Sequence, residues 1–210
     1  MNLNIPYMET DNKLLNDAYR IAAGDIVGNI VYYQNGLLTE EKPCMIAGLD
    51  YNTPWTRDTA INIWNALSIL SPEVSKNTLL AVLEEEEGNI YIGGQYWDSI
   101  IWMIGAREYC RFHKDDNFYR LAFEAGRNSV HRLEEDEFDE EDGLFRGPAV
   151  YGDGIAAYPD KYSKCPNQGS GILEWVDYPG NPVYPKGYGI PMKALSTNCV
   201  YFKVYEILAE

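Results

Sequence analysis

The sequence predicts an all-α chain, and three observations carry that prediction. Apolar residues recur at helical spacing through most of the length. Segments that are apolar all round alternate with segments apolar on one face only. Strand signals are confined to short stretches such as Asn89-Ile92. Alternation of this kind describes an α/α toroid, in which inner helices surround an axis and outer helices sheathe them. At 210 residues the chain fits a single domain, and about six helices make only part of such a ring.

The elements follow in order. From Asp11 to Gln34, Leu14, Leu15, Ala18, Ile21, Ala22 and Ile26 form one stripe, the pattern of an outer helix. A loop containing Asn35-Gly36 and Pro43 follows. Between Thr56 and Leu70, Ile61, Ile63, Trp64, Ala66, Leu67, Ile69 and Leu70 surround the helix, which is expected to be buried on every side. Ser71-Pro72-Glu73 stops that helix and starts an amphipathic one running to about Glu85, because Ser caps and Pro suits a first turn. The charge run Glu84 to Glu87 reads as solubilising.

The pairing then repeats. Trp97 to about Phe112 carries Ile100, Ile101, Trp102, Met103, Ile104 and Ala106 around its girth, and Asp116 to Leu133 is amphipathic. The acidic run Glu134 to Gly143 lacks the ordered ligand frame of a calcium loop and reads as a solvated loop, with Asp142 nearest the segment that follows. A loop at 159–190, rich in Pro, Gly and Tyr, is long enough to be functional. Pro191 to Glu210 is a third buried-type helix with no glycine cap or proline after it, so the chain is expected to stop inside an element.

Composition narrows the partners. With 17 Lys+Arg against 32 Asp+Glu, the formal charge of -15 disfavours nucleic acid and anionic membranes. No apolar run reaches membrane-span length, and Met1 to Asn12 lacks the regions of a secretion signal. A soluble, cytoplasmic protein is the expectation, with a leader removed in cloning as the alternative. Cys44, Cys110, Cys165 and Cys199 are widely separated, without metal-ligand spacing, and Cys110 and Cys199 read as small buried hydrophobes. His113 and His131 are too few for a histidine-based metal site or a Ser-His-Asp triad. No cofactor and no metal are expected. The 17 tyrosines and 5 tryptophans suit stacking on sugar faces as well as core packing.

Polar residues collect where the buried helices begin: Trp55-Thr56-Arg57-Asp58, Tyr96-Trp97-Asp98, and Ser196-Thr197-Asn198. Taken singly these are helix caps; recurring on three inner helices, they suggest one shared cleft. Aromatic rings beside Arg and Asp are good saccharide chemistry, since the ring supports the apolar sugar face and the charged groups grip hydroxyls. Asp153 stands in Tyr151-Gly152-Asp153-Gly154, among aromatics and small residues. Asp-Gly is ordinary turn chemistry, and a carboxyl poor in water contacts is also what a general acid needs.

These motifs resemble the six-hairpin glycosidases, a superfamily of glucoamylases, trehalases, glycoside hydrolase family 63 glucosidases and α-L-rhamnosidases. The residues that carry it are Trp55-Thr-Arg-Asp-Thr-Ala-Ile-Asn-Ile-Trp-Asn-Ala-Leu, Tyr96-Trp-Asp-Ser-Ile-Ile-Trp, Asp142-Gly-Leu-Phe-Arg-Gly-Pro with Tyr151-Gly-Asp-Gly, and Leu195-Ser-Thr-Asn-Cys-Val-Tyr. The likeness covers most of 45–210. It implies a partial (α/α)6 toroid and an inverting mechanism on an α-glycoside-type oligosaccharide or glycoside. Asp153 matches the general acid. Arg57 and Asp58 match residues that hold the sugar being cleaved, with Trp55, Trp97 and Tyr151 as walls and Asp98 as a further contact. In the family the base comes from the second half of the barrel, which this truncated pattern lacks, and Glu174 is only a weak stand-in. Little or no hydrolysis by the isolated chain is therefore expected. The alternative is a non-catalytic carbohydrate-binding or helical assembly module. Uncovered inner helices at the open edge predict self-association.

Overall fold

The computed structural model describes residues 5–48, 50–94, 98–147 and 193–210. Helices take up 59% of these residues, and three two-stranded antiparallel sheets accompany them, so the fold is mixed α/β and not all-α. The described helices form six rods: α1 (Lys13–Gly28), a rod over 56–70, α4 (Pro72–Ala81), α5 (Asp98–Phe112), α6 (Asp116–Glu137) and α7 (Leu195–Ala209). The 56–70 rod consists of α2 (Thr56–Asn62), a π-helical segment (Ile63–Leu67) and α3 (Ser68–Leu70).

The first and third hairpins stand where helix or loop was expected, and in the second β4 falls on the Asn89-Ile92 strand signal while β3 replaces an expected helix end. The first pairs β1 (Ile30–Tyr33) with β2 (Lys42–Met45), Val31 opposite Cys44. Asn29 ends α1 early, and the β-branched and aromatic run Ile30-Val31-Tyr32-Tyr33 suits a pleated strand better than a helix. Strand β2 is held on α4, where Thr78 Oγ1 accepts from the Met45 amide at 3.0 Å and Asn77 Nδ2 donates to the Pro43 carbonyl at 3.2 Å.

The second hairpin pairs β3 (Leu83–Glu86) with β4 (Asn89–Ile92). Its turn places Glu87 and Gly88 both at positive φ, 52° and 81°, which matches the right-handed twist of the strands. Three glutamates make a poor strand by propensity, and contacts from α6 override that. The Ile92 amide donates to Ser129 Oγ at 2.9 Å and Asn128 Nδ2 to the Ile90 carbonyl at 3.1 Å. The Arg132 guanidinium lies 3.6 Å over the Tyr91 ring and pairs with Glu86 at 2.7 Å.

The third hairpin, β5 (Phe138–Asp139) with β6 (Leu144–Phe145), takes up part of the acidic run, while Glu134 to Glu137 complete α6. Lys193 joins this hairpin to the start of α7 by pairing with both Asp139 and Asp142. The Asn198 side chain completes the link by accepting from the Phe145 amide at 2.8 Å and donating to its carbonyl at 3.0 Å.

The core joins the 56–70 rod, α4, α5, α6 and α7 through Ile63, Leu67, Leu79, Ile101, Trp102, Phe118 and Val204. Helix α1 does not sheathe it. No residue of α1 is buried, and the predicted stripe leaves Leu14, Leu15 and Ile21 exposed. Two inner rods also keep an open side: Trp64 and Ile69 on the 56–70 rod, and Leu195, Cys199, Phe202 and Tyr205 on α7. Burial on every side fits α5 best. Apolar periodicity alone carries no record of which partners a face will meet.

Asp115 opens α6 by accepting from the Phe118 amide at 3.1 Å and pairing with Lys76 of α4. Lys76 and the amide hold its carboxyl below the usual carboxylate range. A lowered folded-state pKa contributes stability above the unfolded value and loses it as pH falls through the folded one. Asp115→Ala should lower stability at pH 7 by about 1 kcal/mol, and the gap between variant and parent should narrow in melts taken at progressively more acid pH. A gap independent of pH would exclude the ion pair as its source.

Candidate functional site

Two of the buried-type rods run parallel, and their first turns meet. Thr56 Oγ1 donates across to the Gly93 carbonyl at 2.9 Å. A β-carbon on Gly94, whose φ is +101°, would lie 2.5 Å from Thr56 Oγ1 and 3.6 Å from Asp98 Cβ, so the chain squeezes between the two helix starts where only glycine fits. Farther along, Gly105 rests on the backbone of Ala60. At the far ends His113 Nε2 meets the Ser68 carbonyl at 2.7 Å, with the Tyr109 ring 4.8 Å away, a packing role for that histidine. Helix α7 runs the same way, since Arg107 grips Glu210 at 2.7 Å near both C-termini.

Parallel rods gather their N-terminal amide groups, with the positive ends of their dipoles, at one mouth. Asp98 sits in the first turn of α5 at 1% exposure, and Asp58 lies in the first turn of α2. Arg57 and Asp58 are half-buried. Thr56 is not a cap: Trp55 holds the cap position without a side-chain bond, and the Thr56 hydroxyl spans to the neighbouring rod instead.

Trp55 is 40% exposed and meets Tyr51 edge to face, with ring centroids 6.1 Å apart. It borders a cleft of about 240 Å³ shared with Thr53, Thr56, Asn35, Glu84 and Gly94. Glu84 and Asn35 are the cleft residues that sequence reasoning missed. Both arrive on hairpin or turn segments, and no motif spacing ties them to Trp55. Of the third group, Ser196 faces a separate groove, Thr197 is fully buried and Asn198 is spent on Phe145.

Comparison with protein families, with curated proteins and with solved structures found no match. Trp97, Tyr151, Asp153, Glu174, Cys165 and the 159–190 loop lie outside the described residues. Gly147 and Lys193 form an isolated parallel bridge.

Among the described cysteines none forms a disulfide. Burial pushes the Cys44 thiol up to about 12 and the Cys110 thiol to about 11, which removes both as nucleophiles near neutral pH. Cys199, expected to be buried, is exposed. Among the described residues no helix is long and apolar enough to cross a membrane, and no group of three His, Cys, Asp or Glu could hold a metal ion.

Proposed function

We propose that the chain is part of an inverting glycoside hydrolase acting on an α-glycoside-type substrate. Asp153 is the general acid, Arg57 and Asp58 hold the sugar being cleaved, Trp55, Trp97 and Tyr151 wall it, and Asp98 is a further polar contact. The observation that supports this reading most is Trp55, an indole kept 40% exposed at the mouth where two helix N-termini and the buried Asp98 converge. An aromatic face beside polar groups and a cleft is what a sugar ring requires: apolar CH groups against the ring, hydroxyls toward the charges.

In this chemistry the acid gives its proton to the departing glycosidic oxygen as the C–O bond breaks. A carboxylate on the opposite face takes a proton from the attacking water. The two carboxyl groups stand roughly 6.5–9.5 Å apart to admit that water. No residue is assigned to the second role, so the 210-residue chain should bind sugar without turning it over.

Calorimetric titration with α-linked disaccharides and rhamnosides is the test, with product release followed on aryl glycosides. Saturable heat without product is expected, and Trp55→Ala should weaken binding by about five- to tenfold, the scale of one lost aromatic contact. No saturable heat with any sugar would favour a helical assembly module. Robust turnover would show that the chain carries its own base.

A further inference from the structure

One wall of the cleft beside Trp55 carries a carboxylate that the fold does not use. Glu84 stands on β3 opposite Tyr91, and Gly93 follows two residues farther along the chain, on the same face. A β-carbon on Gly93 would fall on the Glu84 carboxyl group, 2.8 Å from its Cδ. The missing side chain is what lets Glu84 fold back over the end of β4 and line the cleft with Gly94 and Thr56. The strand end itself is fixed, because the Gly93 amide donates to the Val82 carbonyl at 2.8 Å. Among the described residues Glu84 has no ion-pair partner, and the Arg132 guanidinium is taken by Glu86.

Asn35 supplies the second polar group. Its turn is pressed onto the junction of α4 and β3: a β-carbon on Gly36, at φ +59°, would lie 2.6 Å from both the Leu80 and the Leu83 carbonyl oxygens. The Leu37 amide donates to that Leu80 carbonyl at 3.1 Å, and Asn35 Nδ2 donates to the Ala81 carbonyl at 3.4 Å, which leaves Oδ1 as an acceptor. With about 240 Å³, the cleft falls below the roughly 300 Å³ at which pockets for drug-sized molecules begin, so it suits one ring and not a chain of them.

The donor and acceptor inventory decides which ring. A carboxylate accepts hydrogen bonds and donates none, so it can hold two sugar hydroxyls at once but repels a second carboxylate. Neither Lys nor Arg is among the described residues that line the cleft, so an acidic sugar meets no counter-charge there. We infer that Glu84 is a specificity-determining residue: the cleft takes one uncharged pyranose, its face on the Trp55 indole and its hydroxyls on Glu84 and Asn35, and turns away uronic acids. This inference rests on the sugar-binding reading and names the class of sugar it admits.

Calorimetric titration at pH 7 with maltose, trehalose and methyl α-rhamnoside, and in parallel with glucuronic and galacturonic acids, is the test. The parent should bind a neutral sugar at least about tenfold more tightly than either acid. Glu84→Gln should weaken the neutral sugar by about tenfold, the lower end for a hydrogen bond to a charged group, and should narrow its preference over the acids by a similar factor. Gly93→Ala keeps the carboxylate but displaces it, and should weaken the neutral sugar in the same way. Glu85→Gln removes the same charge from the neighbouring strand position, whose side chain points to the other face, and should change neither quantity. Glu84 and Glu85 are both exposed, so far-UV circular dichroism and melting should match the parent in both glutamine variants. Neutral sugar bound equally by Glu84→Gln and Glu85→Gln overturns the role of Glu84 and leaves the sugar reading standing. A parent that prefers a uronic acid does the same. No saturable heat with any of the five sugars overturns both.

Discussion

Replacing Trp102 with alanine is expected to lower stability by about 3–5 kcal/mol, the range for deleting a large aromatic from a packed core. Trp102 is fully buried, and its side chain is the largest so enclosed among the described residues. Its ring meets Phe118 of α6 at 6.5 Å, and Phe118 in turn meets Tyr109 edge to face at 4.9 Å. Deletion therefore opens a void at the seam of α5 and α6 and also unsupports the ring stack beyond it. Single domains hold only about 5–15 kcal/mol in total, so one substitution removes a large share. Urea denaturation should show a lower midpoint at unchanged slope. A loss under about 1 kcal/mol, the ordinary effect of a point substitution, would mean that the ring is not enclosed as described.

Gly105→Val should cost about 3 kcal/mol, the upper end for overpacking a core. A β-carbon at Gly105 would stand 2.8 Å from Ala60 Cα and 3.0 Å from its carbonyl oxygen, and backbone cannot swing aside. The 56–70 rod and α5 must then separate, which also draws Trp55 and Thr56 away from Asp98. Weaker sugar binding should accompany the lost stability. Gly126 supplies the control. Its nearest neighbour is Met103 Sδ at 2.2 Å, the far part of a flexible thioether that can repack. Gly126→Ala also gains about 1 kcal/mol of helix propensity, so its net effect should be small. If the two variants melt alike, the close approach of the rods is not what holds the mouth together.

The helices were largely legible because each needs only a periodic apolar face and local start signals. Pro72 in a first turn supplies such a signal and α4 begins there, although Ser71, expected to cap it, makes no side-chain cap bond; Asp115, which the sequence reading did not single out, caps α6. Of the hairpins only the β4 strand, at Asn89-Ile92, was legible. Glu84-Glu85-Glu86 looks like a solvated helix end, and becomes a strand because Ser129, Asn128 and Arg132 arrive from α6. Asp142, read as part of a solvated loop, is fixed by Lys193, a residue that carried no signal of its own.

The candidate site divides in the same way. Residue types and their places at helix starts single out Trp55, Arg57, Asp58 and Asp98 as a candidate set. Whether those starts share a mouth depends on helix direction and register, which rest on contacts such as Thr56 with Gly93 and Gly105 with Ala60. The sequence by itself determined where most of the rods lie and which residue types stand at their starts, because hydrophobic periodicity acts within a few residues. The tertiary structure alone decided the pairing of the hairpins, the cleft beside Trp55, and which apolar faces of α1, the 56–70 rod and α7 stay uncovered. Burial and strand pairing are properties of partners distant in the chain, and no local pattern encodes a partner.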